Sequence, residues 1–222
     1  MRLSVLSLLL LMLLLPSASS AARRSEIALK IPAFKDARSD AKGVIYLKSV
    51  SDDRIFADQP REANTPSIAV GSVATTPAKD RRFFIARVRD GYGKARNNIF
   101  LKPDQPVEKV VRELLTSALT SHGYRVVSDA AAAGSGAIVM EASINQLWGY
   151  IQVKGGGWSG DIPKMAGEIK TTLTTRGPGG KGRFEVSGMA LHRFTLMTAG
   201  HWVKMFEALF SDYQKNLGQV RF

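Results

Sequence analysis

The sequence predicts an α+β domain: a mostly antiparallel sheet with two amphipathic helices packed on one face. Two stretches, Val107–Leu119 and Trp202–Leu217, place apolar residues at helical spacing. Three stretches between Ala137 and Ala190 alternate apolar with polar residues and are joined by glycine-rich turns, the pattern of half-buried strands. Shorter runs rich in β-branched and aromatic residues precede the first helix.

Taken in order, Ile27–Phe34 reads as a short strand that Pro32 confines to an edge or an end. Gly43–Val50 (GVIYLKSV) is a stronger strand, closed by Ser51-Asp52-Asp53-Arg54. Asp58–Asp80 is rich in Pro, Thr, Ala and Ser and reads as an irregular connection with a short strand at Ile68–Val73. Arg81–Val88 reads as a further strand, and the whole insertion spans about residues 57–104.

Val107, Val110, Val111, Leu114, Leu115, Ala118 and Leu119 form one apolar stripe. Pro106 sits where a missing N–H costs nothing, and Gly123 suits the left-handed residue beyond a helix end. Tyr124–Ser128 follows as a strand, then Ala130–Gly136 (AAAAGSG) as a small-residue linker. In the long strand Ala137–Val153, Ile138, Met140, Ala142 and Ile144 share one face, opposite Glu141, Ser143 and Asn145. By parity Trp148 and Tyr150 continue the first face. After the turn Lys154–Pro163, residues Met165, Gly167, Ile169, Thr171 and Leu173 line one face of the next strand. RGPGGKG (Arg176–Gly182) then turns into Arg183–Ala190, with Phe184, Val186, Gly188 and Ala190 facing inward. The last helix carries Trp202, Phe206, Leu209, Phe210, Tyr213 and Leu217 on its buried side.

The chain opens with a secretory pattern. Met1-Arg2 is the positive start, Leu3–Leu15 an apolar run, and SASSAA the small-residue end, with cleavage expected near Ala21. The apolar run is shorter than the roughly 20 residues of a membrane-spanning helix, and no later stretch is apolar enough to span. The expected organisation is a signal peptide at 1–21 and a single α+β domain at 22–222. There is no cysteine, so neither a disulfide framework nor lipid attachment at a cysteine after the signal is available. Formal charge is +12, or +11 without residues 1–21, which hold Arg2 and no acid. In an exported protein that charge points to anionic lipid, cell-wall polymer or acidic proteins rather than to nucleic acid.

The basic stretch from Lys79 to Lys102 is the most suggestive local feature. Arg81, Arg82, Arg87, Arg89, Lys94 and Arg96 are its candidate contacts to an anionic partner, interleaved with Phe83, Phe84, Tyr92 and Phe100. Trp158, among glycines in KGGGWSG, is a candidate anchor for a protein partner. Catalytic and metal motifs do not assemble. His122 closes a helix, and His192 and His201 lack the i, i+4 spacing of a zinc helix. Asp52 and Asp53 point to opposite faces of an extended chain, which suits a turn with Arg54 rather than a proton-sharing pair. GPGGKG lacks the residue count and the Ser or Thr of a phosphate loop. No cofactor and no metal are expected.

The order of YLKSVSDDRIF, VRDGYG, PVEKVVRELLTSALTSHGYRVV and ASINQLWGYIQVKGGGWSGDIPKMAGEIKTTLT resembles the YajG-like family of bacterial envelope proteins over about Ile45–Val186. The resemblance implies an α+β fold in an exported protein, and brings no catalytic residues with it. Members of the family typically carry a lipidated cysteine directly after the signal, and SASSAARRS has none. The expectation is a periplasmic accessory protein, not an enzyme, that acts by binding an envelope component. The alternative expectation is direct binding of anionic lipid or cell-wall polymer through residues 79–102.

Overall fold

In the computed structural model, residues 25–32, 42–90, 95–152, 164–178 and 180–222 are described. Residues 1–21, where a signal peptide is expected, and the candidate contacts Lys94 and Trp158 lie outside them. The elements in order are β1 (Ser25–Ile27), β2 (Val44–Asp52), α1 (Ala78–Arg81), β3 (Phe84–Arg89), β4 (Ala95–Leu101), α2 (Val107–Ser121), β5 (Arg125–Val127), α3 (Ala130–Ala133), β6 (Ile138–Gln152), β7 (Lys164–Gly177), β8 (Gly180–Arg193) and α4 (Ala199–Leu217).

β6 organises the sheet. Its whole length pairs antiparallel with β7, which in turn pairs antiparallel with β8. Its opposite edge is shared: β2 runs parallel to its first half and β3 parallel to its second. β5 lies parallel to the outer side of β2, while β4 is antiparallel to β3 and β1 parallel to β4. The class is therefore α+β, but the sheet is mixed, and the expected mostly antiparallel arrangement does not hold. The reason is connectivity. Only the two later turns are hairpins between long strands, whereas the chain from β2 returns through β3, β4 and α2 to enter β5 and β6 in the direction of β2.

Three further differences have local causes. AAAAGSG contains the short helix α3, capped by Asp129, whose carboxylate accepts from the Ala131 N–H at 3.0 Å. Ile68–Val73 is not a strand, and only an isolated bridge joins Ala57 to Ser67. Ala95–Leu101 (ARNNIFL) is a strand despite its polar start, held between β1 and β3.

Along β6 the parity rule fails at one point. The ladder with β7 shifts between Ile144 and Gln146, and the extra residue turns the following side chains to the other face. Met140, Ala142, Ile144, Leu147 and Ile151 all reach the main core, while Trp148 and Tyr150 enter a second cluster with Ile68, Phe84 and Ala166. The sheet is thus buried on both faces near its middle.

α2 and α4 bury their stripes in the same main cluster. α4 is seated close to the sheet by small residues. A Cβ at Gly149 would meet Trp202 and Met205, one at Gly167 would meet Met205, and one at Gly188 would meet the backbone of Tyr213. α4 touches β8, the outer strand of the branch that leaves β6 through β7, and also β1, the outer strand beyond β3 and β4 on the other side of β6, so the sheet curls around it. Gly123 leaves α2 at φ +91°, the left-handed conformation that glycine adopts without a Cβ clash. His122 closes α2 as expected, but its Nε2 lies 2.9 Å from the carbonyl of Gln214 in α4 rather than bonding its own helix.

Candidate functional site

The arginines of the basic stretch are taken up by partners of the fold. Arg87 is 3% exposed and donates from Nη1 to the Ser67 hydroxyl at 2.6 Å. Burial, then the nearby Arg89, lowers its pKa from the usual guanidinium value. Arg89 donates to the Pro60 carbonyl, Arg82 pairs with Glu108 at 3.1 Å, and Arg96 pairs with Asp90 at 3.0 Å. Arg81 stacks over the Phe56 ring and reaches the Val73 carbonyl. Arg81, Arg87 and Arg89 hold residues 56–73 and Arg82 holds α2, while Arg96 stays exposed beside Asp90, so the five do not converge on one outward surface. Lys94 and Trp158 lie outside the described residues.

The three histidines also divide. His192 and His201 are brought together, 2.8 Å between Nε2 and Nδ1, while His122 sits at the α2–α4 junction. Burial, His201 and Lys204, in that order, lower the His192 pKa from 6.5. No group of three or more metal-ligating side chains occurs among the described residues. Two buried tyrosines are structural. Tyr150 donates to Glu168 at 2.9 Å, and Tyr213 shares a 2.6 Å contact with the Thr171 hydroxyl. Burial pushes both phenols well above their ordinary pKa, so they act as fixed hydrogen-bonding groups.

What the folded arginines leave is a cleft of about 570 Å³ between β1–β4 and residues 69–80. One wall is Asn97, Phe100 and Leu101 with Ser25 and Glu26; the other is Ala69, Val70, Thr75, Thr76, Pro77 and Asp80, with Phe83 and Phe84 at the back. Local chemistry builds the second wall. Asn98 is buried, accepts from the Ala69 N–H at 2.7 Å, and donates to the carbonyls of Ser67 and Ala86, pinning residues 67–69 to β3 and β4. Gly71, at φ +97°, and the reciprocal Ser72–Thr75 bonds then turn the chain back toward α1. Asp58 accepts from the Val73 N–H at 2.8 Å and anchors that turn.

The cleft therefore combines aromatic surface with two carboxylates, and Val70 stands 83% exposed on its rim. Neither Glu26 nor Asp80 has an ion-pair partner among the described residues. Such a lining suits an apolar group carrying a positive charge. The sequence reading missed this site because its residues come from separate segments.

No family model matches the chain, and no curated protein matches it. Solved structures similar to it include that of an uncharacterized protein, with a TM-score of 0.47 and 12% identity over 88% of this chain and 97% of that one. Another is a putative neuraminyllactose-binding hemagglutinin homolog from Helicobacter pylori, with a TM-score of 0.33 and 10% identity over 87% of this chain and 91% of that one.

Proposed function

We propose that the protein is a non-enzymatic accessory protein of the cell envelope that binds an extended segment of another envelope protein in the cleft between β1–β4 and residues 69–80. The observation that carries this reading is the pair of carboxylates, Glu26 and Asp80, without an ion-pair partner among the described residues, on an aromatic cleft in a chain whose net charge is +12. Those carboxylates complement a lysine or arginine, and Phe83, Phe84 and Phe100 complement a neighbouring apolar side chain. β1 ends the strand order among the described residues, so an extended chain can align with it while its side chains enter the cleft. The export pattern at 1–21 and the YajG-like order of segments support the envelope setting.

The test is a photo-crosslinking residue at Asn97, used in cells with and without Glu26→Gln and Asp80→Asn together. The reading predicts a crosslinked protein whose yield falls about tenfold in the double variant, at roughly half to one kcal/mol for each partly exposed ion pair. An unchanged yield from a folded double variant contradicts it.

A further inference from the structure

Residues 56–73 cover the outer face of β3, β6 and β7: Phe56 and Ile68 pack near Trp148, Tyr150 and Ala166, and Asn64 donates to Glu168 at 3.1 Å. The cover stops at β7. On β8 every odd-numbered residue from Lys181 to Arg193 is exposed. Met189 and Leu191, opposite Glu168 and Ala166, are 57% and 55% exposed. The chain then enters a loop where Leu196 and Met197 are 74% and 41% exposed. Of the six large apolar side chains exposed among the described residues, four fall between Met189 and Met197. A concentration of that kind marks a contact surface rather than scattered exposure.

The charge around this patch is positive. Arg193 lies directly opposite Lys164 across the β7–β8 ladder, next to Leu191 on the same face. Neither has an ion-pair partner among the described residues, and like charges facing each other across a ladder are unfavourable until an anion comes between them. Lys204 lies close enough to His192 to act on its ring. The acids beside Met189 are engaged: Glu168 accepts from Tyr150 and Asn64, and Asp212 accepts from the Met189 N–H at 2.9 Å, while Glu185 lies exposed on the same face toward the other end of β8. Asn216 donates to the Ser187 carbonyl at 2.8 Å, so α4 side chains occupy the backbone edge of β8 at its middle. An added β-strand is opposed there. A laterally extended anionic surface is not.

We infer that the outer face of β8 near Met189–Arg193, with the loop through Leu196 and Met197, docks on an anionic phospholipid surface. Leu191, Leu196 and Met197 enter the headgroup boundary, while Lys164 and Arg193 meet lipid phosphates. This surface is separate from the cleft and does not depend on it.

Sedimentation with vesicles of phosphatidylcholine, alone or with phosphatidylglycerol added, tests the inference. Binding is expected only to the phosphatidylglycerol vesicles, and it weakens as salt rises. Lys164→Ser and Arg193→Ser each weaken it about fivefold. Leu196→Ser with Met197→Ser weakens it further, and inorganic phosphate at matched ionic strength does not displace it. All four positions bear on the outer face or the loop, and unaltered thermal unfolding checks that the variants remain folded. Absence of vesicle binding overturns the inference. So does binding unaffected by these variants but lost with Lys79→Ser and Lys102→Ser, or displacement by inorganic phosphate, which identifies a site for a free anion.

Discussion

The guanidinium of Arg54 joins strands that no backbone ladder joins. β2 and β3 meet end to end along one edge of β6, and Arg54 fills the gap, donating to the carbonyls of Phe84 at 2.7 Å and Leu147 at 3.0 Å. Its other nitrogens bond both Asp52 oxygens and the Arg81 carbonyl. Arg54→Met removes the side-chain donor from those carbonyls and leaves the partly buried Asp52 carboxylate only the backbone N–H of residue 54, and is expected to cost about 3 kcal/mol. Arg54→Lys recovers only part, because an ammonium lacks the planar fork. Urea unfolding measures both, and an unchanged midpoint in Arg54→Met contradicts this account. The bond between Arg54 and Asp52 was legible in SDDR, where a turn pairs neighbours in sequence. The carbonyls were not, since Phe84 and Leu147 are distant in sequence and a carbonyl has no side-chain signature. The same holds for Arg87, whose burial depends on the fold of residues 56–73.

Among the elements, the helices were the most legible. α2 starts after Pro106 and ends before Gly123, because an apolar stripe, a proline and a left-handed glycine are each local signals. Strand faces were legible up to the shift in β6 between Ile144 and Gln146, after which parity placed Trp148 and Tyr150 on the wrong face. Strand direction was legible only where glycine-rich turns join β6, β7 and β8; for β2, β3 and β5 it was not, since alternation reports a face and carries no information on what runs beside it. The fit of α4 adds a contrast that can be measured. An alanine Cβ at Gly188 would lie 2.8 Å from the Tyr213 backbone nitrogen and 2.9 Å from its Cα, atoms fixed by the helix. At Gly167 the first obstacle is the thioether of Met205, the flexible end of a long side chain. Gly188→Ala is therefore expected to cost about 2–3 kcal/mol and Gly167→Ala about half of that or less. Thermal unfolding compares them, and equal losses contradict the close helix–strand contact.

For the molecule as a whole, net charge and charge placement lead to different conclusions. A formal charge of +12 suggests one broad anionic partner, but Arg87 and Arg89 are drawn toward Ser67 and Pro60, and the more exposed Arg82 and Arg96 are paired with Glu108 and Asp90. Two outward features remain, on different parts of the surface: the carboxylate-bearing cleft beside β1 and the cationic apolar patch on β8. Neither was legible in the sequence, because each gathers residues from separate segments and the fold alone brings them together. On the two proposals together, a protein held at a lipid surface by β8 presents the cleft to a neighbour. The measurement that tests the central claim most directly is a photo-crosslinking scan in cells with the probe at Val70 or Asn97 in the cleft, and at exposed Lys109 on α2 as a control. The account predicts one protein captured from both cleft positions and not from Lys109, through a segment that contains a lysine or arginine beside an apolar residue. Equal capture at all three positions, or capture at Lys109 alone, contradicts it.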